Sequence, residues 1–278
     1  MKKILYPTDF SETSLNAFVY ALHFAKKLNA EIITLHVYDI PLQLAVNYSE
    51  FLLTTYGISE WTDFENFKSQ VPKLTEIAEK HQLQKVRICH MLERGDTVHE
   101  ILKAAKKEKV DLIVMGTKGA TGLRETFLGT IAEKIINQAH TLVLAIPEGC
   151  SYEPIQKVLF LTLLERLEKK PLQKVKELAD LFKASIDVLQ IKTHHDNEEE
   201  EVLLKKWQNH FKDPDIKFMI LPSNAFEETV LDYIDLIKID LVTMSVHHKN
   251  FLKRLFLFSL SRQMVYHSTI PLLSIPSK

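Results

Sequence analysis

Residues 116–130, GTKGATGLRETFLGT, hold four of the chain's seven glycines, and residues 150–278 hold none. Glycine gathers where a backbone turns sharply or lets another group come close. Gly129 and Thr130 open the run GTIAEKII, whose apolar spacing predicts a helix start. Unpaired amides at a helix start, with a hydroxyl beside them, suit phosphate. Gly116 and Gly119 would let the preceding loop fold over the same phosphates, and Lys118 or Arg124 would neutralise charge. Gly129 is expected to allow both this close approach and a left-handed backbone. The spacing is neither the phosphate loop GxxxxGK(S/T) nor the dinucleotide fingerprint GxGxxG. On pattern alone the stretch fits phosphate binding, and it equally fits glycine turns ahead of a capped helix.

The elements that must hold this loop alternate along the chain. Short continuous apolar runs (KILYP, EIITLHV, VRICHM, DLIVMG, LVLAIP) are separated by amphipathic segments such as SLNAFVYALHFAKKLN, LTEIAEKHQL and TVHEILKAAKKEK. Strands of that kind, spaced by helices, predict a parallel sheet covered on both faces. After EGCSYEPIQ the order recurs: VLFLT, LQKVKELADLFKA, IDVLQI, EEEEVLLKKWQNHF, IKFMIL, ETVLDYIDLIKI, DLVTMS, FSLSRQMVYHS and PLLSIP. The chain therefore reads as two copies of one α/β unit, at 1–148 and 155–278.

The copies align without a gap where the loop lies. DLIVMGTKGATGLRETFLGT over DLVTMSVHHKNFLKRLFLFS pairs Asp111 with Asp240, Leu123 with Leu252, Phe127 with Phe256 and Thr130 with Ser259. They part at the glycines: Gly116 faces Ser245, Gly119 faces His248 and Gly129 faces Phe258. At the front of each unit, ILYPTDF over VLFLTLL puts Leu163 where the first copy has Asp9. The second copy is thus expected to lack the residues that would surround a charged ligand.

Composition limits the partners. With 35 basic and 36 acidic residues the formal net charge is −1, so no bulk field draws nucleic acid or an anionic membrane, and any bound anion must be held locally. The N-terminal apolar run stops at Pro7, and no other run has the length of a bilayer span, so a cytoplasmic protein without leader or membrane segment is expected. Cys89 and Cys150 fit neither a disulfide framework nor a metal spacing and are read as free thiols.

The string Gly-x2-Gly-x9-Gly-(Ser/Thr), met by Gly116, Gly119, Gly129 and Thr130, resembles the ATP-binding signature of the universal stress protein family. ILYPTDFSETS is similar to that family's opening strand, LHV to the end of its second strand, and ERGDTVHEIL to the approach to its fourth. The resemblance is close over 1–147 and degenerate over 155–276. It departs at Thr130, where Ser is commoner, and in the long segment between Tyr38 and Pro72, which could cover the site or another subunit. The resemblance implies an α/β fold of two tandem open parallel five-stranded sheets, strand order 3-2-1-4-5 in each, with helices on both faces. Nucleotide would sit where strands one and four diverge, the switch point of such sheets. It further implies ATP as ligand, with or without Mg, and a site in which Asp9 holds the ribose or adenine side beside Pro7 and Thr8. Val37 would meet adenine through its backbone and side chain, Gly116, Lys118, Gly119, Gly129, Thr130 and Ile131 would line the phosphates, and Met115 is a further binding residue. Asp9 could instead cap the following helix, and Val37 could be plain core. The last strands, LVLAI and PLLSI, are expected to pair the copies as an intramolecular pseudo-dimer, with a homodimer and an unidentified protein partner as further expectations.

Other clusters carry less. His194-His195 and His247-His248 are adjacent residues, which point apart and rarely share a metal. Glu198 to Glu201 reads as an acidic first helical turn. FLKRLFLF, with Lys253 and Arg254, could face a partner or membrane, or be loop and helix start packed on the sheet. No Ser-His-Asp, Cys-His or paired-carboxylate arrangement emerges. The sequence therefore favours a regulatory nucleotide-binding module of the stress response, one nucleotide per chain. A slow ATPase and a nucleotide-free scaffold stay open beside it, since Asp9 is the only candidate base and it is placed at the sugar end.

Overall fold

The computed structural model describes residues 2–38, 49–117, 129–192, 198–246 and 270–276, with side chains outside 49–61 and 198–201. In the first half the order is β1 (Lys2–Pro7), α1 (Glu12–Leu28), β2 (Ala30–Tyr38), α2 (Ser49–Lys80), β3 (Ile88–Arg94), α3 (Thr97–Lys107), β4 (Leu112–Gly116), α4 (Thr130–Gln138) and β5 (Leu142–Ile146). The second half follows as β6 (Lys157–Leu161), a 3-10 turn (Arg166–Glu168), α5 (Lys169–Phe182), β7 (Ser185–Lys192), α6 (Glu198–His210), β8 (Ile216–Pro222), α7 (Phe226–Ile237), β9 (Leu241–Ser245) and β10 (Leu272–Ile275). The helix expected in FSLSRQMVYHS lies outside the described residues.

The strands form one ten-stranded sheet, ordered β3-β2-β1-β4-β5-β10-β9-β6-β7-β8. Each half keeps the expected 3-2-1-4-5 order with parallel neighbours. The halves join where β5 meets β10 antiparallel, Leu272 opposite Ala145 and Leu273 opposite Leu144. The two five-stranded sheets are thus joined by main-chain hydrogen bonding through LVLAI and PLLSI, the strands expected to pair the copies. The reason is visible in burial: Leu144, Ala145, Leu273 and Ile275 are at most 1% exposed, so separating these edges would wet apolar strands and leave their polar backbone unpaired.

Strand alternation divides the core into two layers. Ile4, Tyr6, Phe160 and Val188 point to the face covered by α1, α2, α5 and α6, while Leu5, Ile113, Leu159 and Leu189 point to the face under α3, α4 and α7. The first layer runs unbroken across the junction. Phe24 of α1 packs on Phe182 of α5 with ring centroids 4.9 Å apart, and Lys27 Nζ lies 5.6 Å above the same ring.

The duplication also shows in polar detail. Asp111 Oδ2 accepts from the Lys3 amide at 2.9 Å, and Asp240 Oδ2 accepts from the Lys157 amide at 2.8 Å. The Thr8 amide donates to Leu35 and the Thr162 amide to Leu189. Phe10 and Leu164, the residues two beyond those threonines, both take positive φ, 58° and 59°.

Helix α2 departs from the sequence reading. Periodicity placed a helix only over LTEIAEKHQL, yet α2 spans 32 residues and includes Pro72. Proline inside a helix removes a hydrogen bond and costs about 3 kcal/mol. Burial of Phe67, Leu74 and Ala78 along the packed side offsets that cost.

Candidate functional site

The C-terminal ends of β1 and β4 are neighbours in the sheet, and the chain leaves them in opposite directions: β1 into α1, β4 toward α4. Such a divergence opens the crevice of an α/β sheet.

On the β1 side, Pro7 ends the strand, buried and in register with Leu35. Thr8 is 6% exposed and its hydroxyl serves the protein: Oγ1 accepts from the Phe10 amide at 3.0 Å and lies 2.9 Å from Ser14 Oγ. The Tyr6 hydroxyl completes the group, 3.0 Å from Thr8 Oγ1 and donating to the Ser14 carbonyl at 2.7 Å. Desolvation raises the Tyr6 phenol above its usual range, which keeps it a donor. Thr8 is thus a structural brace for the turn into α1. Asp9 beside it is exposed, and its Oδ1 accepts from the Ser11 amide at 3.1 Å and the Ser11 hydroxyl at 2.6 Å. Ser11 is the residue that caps α1, accepting from the Ser14 amide. Asp9 therefore orients the capping residue and presents its carboxylate at the strand end.

On the β4 side, Gly116 pairs with Ile146 and the Thr117 amide donates to the Ile146 carbonyl at 2.9 Å. A Cβ on Gly116 would stand 3.0 Å from Thr13 Cγ2 and 3.2 Å from the Thr13 carbonyl oxygen, so glycine lets the strand end meet the first turn of α1. Lys118 and Gly119 lie outside the described residues, as does Arg124. The chain returns at Gly129, whose amide donates to the Thr117 carbonyl at 2.6 Å and closes the ends of the loop on each other. Gly129 caps α4 without a side chain, and Thr130 and Ile131 follow in its exposed first turn. Amides of this turn point out of the helix with no side-chain cap to receive them. Thr117 Oγ1, 2% exposed, has no hydrogen-bond partner among the described residues.

One expectation changes here. Gly129 has φ −68° and ψ 158°, an extended backbone open to any residue, so a left-handed conformation does not explain it. Met115 is 6% exposed and packs in the layer under α3 and α4, so its side chain is core. Val37, half-buried in β2 opposite Glu93, packs against that same layer.

Residues the sequence reading passed over surround the β1 end. His36 donates from Nδ1 to the Thr8 carbonyl at 2.8 Å. Phe10 lies with its ring centroid 5.5 Å from His36 and 5.9 Å from Phe67 of α2. The signal available was the position of Phe10 and His36 immediately beside Asp9 and Val37. Phe67, in the long segment between Tyr38 and Pro72, had no periodicity to mark it.

In the second half the turn after β6 is held by a carboxyl side chain, at the position that Ser14 occupies in the first half. Glu168, fully buried, accepts through Oε2 from the Thr162 hydroxyl at 2.9 Å and from the amides of Leu163 at 3.1 Å and Glu165 at 2.9 Å. Loss of Asp9's counterpart was expected from Leu163. A carboxylate consuming the local donors was not. His247, His248 and Phe258, like His194 and His195, fall outside the described residues. Among the described residues no group of three or more His, Cys, Asp or Glu could hold a metal ion, and no helix is long and apolar enough to cross a membrane. Cys89 and Cys150 are free thiols.

Residues 1–147 match the universal stress protein family. The chain is 37% identical over 150 residues to universal stress protein MJ0531 of Methanocaldococcus jannaschii, covering 52% of this chain and 81% of that one. It is 27% identical over 296 residues to universal stress protein Slr1230 of Synechocystis sp., covering 99% of both. A solved universal stress protein from Archaeoglobus fulgidus shares the fold at a TM-score of 0.69, with 19% identity over 99% of this chain and 96% of that one. This protein belongs to the universal stress protein family.

Proposed function

We propose that the first half binds one ATP in the crevice between the ends of β1 and β4, and that the protein acts as a nucleotide-dependent regulatory module. The reading is supported most by one observation: Gly129 donates to the Thr117 carbonyl at 2.6 Å, which brings the uncapped start of α4 back to the end of β4. That convergence leaves a short run of outward amides and the buried Thr117 hydroxyl, without a hydrogen-bond partner among the described residues, at the β4 end of the crevice, where phosphate would be received. At the other end the exposed Asp9 carboxylate suits a ribose hydroxyl as donor. Gly116, Gly129, Thr130 and Ile131 would line the phosphate side, with Lys118 and Gly119 completing it, and Val37 would meet the base. ATP supplies the negative charge and the bulk that report occupancy. The two units, 1–148 and 155–278, would share that state through their common sheet.

Asp9 is already bonded to Ser11, and in this reading it would stand at the sugar end, away from where a water would attack a γ-phosphate. Binding is therefore favoured over turnover. Mass spectrometry of natively purified protein tests this: co-purified ATP at one per chain is expected. Rapid phosphate release would favour the hydrolase, and absence of any nucleotide affinity would leave a scaffold.

A further inference from the structure

Among the described residues of the long segment that precedes β3, an aromatic side chain stands beside the β1 end of the crevice. Phe67, on α2, is 6% exposed, and its ring touches residues adjacent to both expected base and ribose contacts. It lies 5.9 Å from the ring of Phe10, the residue after Asp9, and is stacked on the His36 ring at 6.0 Å and 11°, the residue before Val37. On its other side it meets His90 of β3 edge-on at 6.3 Å, and His90 Nδ1 lies 2.7 Å from Thr34 Oγ1.

Phe10 itself is under conformational constraint. A bulky residue at φ 58° is uncommon and must be held by its surroundings. Its amide donates to Thr8 Oγ1 at 3.0 Å, which fixes the backbone. The ring is fixed by His36 and Phe67. The φ of Phe10 sets the course of the chain between Asp9 and Ser11, the residue that bonds the Asp9 carboxylate, so packing on the Phe10 ring bears on where that carboxylate sits. His36, donating to the Thr8 carbonyl at 2.8 Å, ties β2 to the same turn.

We propose that Phe67 is a positioning residue for the base and ribose end of the nucleotide crevice, acting through Phe10 and His36, an inference that rests on the nucleotide reading above. Helix α2 thereby becomes part of the binding site's frame: it fixes Asp9 and Val37 from behind without touching the phosphates. The second half shows the contrast. Leu164 keeps the same positive φ at 59°, but it packs as an aliphatic core residue and no aromatic stack stands on it among the described residues.

The test is calorimetric titration of the full chain with ATP and, separately, with inorganic triphosphate, which offers the phosphate end alone. For Phe67→Ala, ATP affinity is expected to fall roughly tenfold, the scale of coupling through an intervening residue, with triphosphate affinity unchanged. Phe67→Tyr, which keeps the ring, should restore ATP affinity. Phe67→Leu, which keeps most of the volume and the fold, should bind ATP as weakly as the alanine variant. Equal weakening of both ligands would mean general destabilisation and overturn the proposal, and so would unchanged ATP affinity in a folded Phe67→Leu protein. If the parent protein binds triphosphate but not ATP, or neither, the nucleotide reading itself has failed and this inference falls with it.

Discussion

The end of β4 and the first turn of α1 touch through Gly116 and Thr13, close enough that a Cβ on Gly116 would stand 3.2 Å from the Thr13 carbonyl oxygen. A backbone oxygen cannot swing aside as a side chain can. The start of α1 also carries Ser11, which holds Asp9, so pushing it away would move both walls of the crevice. Gly116→Ala is therefore expected to lower stability by about 1–3 kcal/mol, the usual cost of overpacking. It should weaken ATP binding as well. Adding Thr13→Ser removes the Cγ2 contact at 3.0 Å but leaves the carbonyl, so only part of the stability should return in denaturant titration. Full stability in the single variant would show that the contact relaxes freely.

Gly129→Val separates phosphate binding from folding. The native φ of −68° and ψ of 158° are open to valine, and the position has no side-chain cap to lose. The stability change should stay near or below about 1 kcal/mol, the gap between glycine and a branched residue at a helix cap. The added methyls would stand among the outward amides of the first turn of α4. ATP affinity should fall much further than stability, read by calorimetry beside urea denaturation. Undiminished affinity would remove this turn from the site.

The segment joining the halves is strapped to α1, and the strap should respond to acid. Asn16 Nδ2 donates to the Cys150 carbonyl at 2.5 Å, the Tyr20 hydroxyl donates to the Ser151 carbonyl at 2.9 Å, and the His23 ring stacks on Tyr152 at 3.7 Å. Burial first, then His81 and Lys26, lower the His23 pKa to about 4. In the unfolded chain the imidazole titrates near 6.5. The folded protein resists protonation, so this group's stability is complete above about pH 6.5 and lost as pH falls toward 4. Since His23 is only half-buried, solvent screening reduces the effect to on the order of 1 kcal/mol. The stability of His23→Phe relative to the parent should therefore rise between pH 7 and pH 4, measured by chemical denaturation. A parallel pH dependence in the two proteins would exclude His23 as the source.

What the sequence made legible is what repeats or what has a period. Continuous apolar runs located the strands because buried parallel strands need apolar residues on both faces, the internal repeat showed two copies of one unit, and the order 3-2-1-4-5 came from the family resemblance. Gly116 marked the end of β4 because close backbone contact there excludes a side chain, as its approach to Thr13 shows. Three features stayed hidden. Phe67 sits on a helix that runs through Pro72, in a segment with no apolar periodicity to mark it, and tertiary burial holds that helix. Thr8 looked like a ligand residue by its place beside Asp9, whereas its hydroxyl is spent on Ser14 and Phe10. Glu168 resembled any charged residue at a helix start, and only its three donors reveal its role.

Glu168 carries the final prediction, the stoichiometry of one nucleotide per chain. In the first half the residue at its place is Ser14, a neutral hydroxyl that braces Thr8. In the second half the carboxylate lies fully buried against Thr162 and takes the amides of Leu163 and Glu165, the donors nearest the strand end. A second anion brought to that crevice would find those two amides already taken. It would also find Leu163, 38% exposed, where Asp9 would have met a ribose hydroxyl. Titration of the full chain with ATP should therefore saturate at one equivalent. Glu168→Gln removes the charge but keeps much of the shape, and it should leave the stoichiometry at one, because the glycines of the first half have no counterparts in the second. Two equivalent sites in the parent protein would refute the asymmetry. A second, weaker site appearing only in Glu168→Gln would show that the carboxylate alone had kept the second crevice closed.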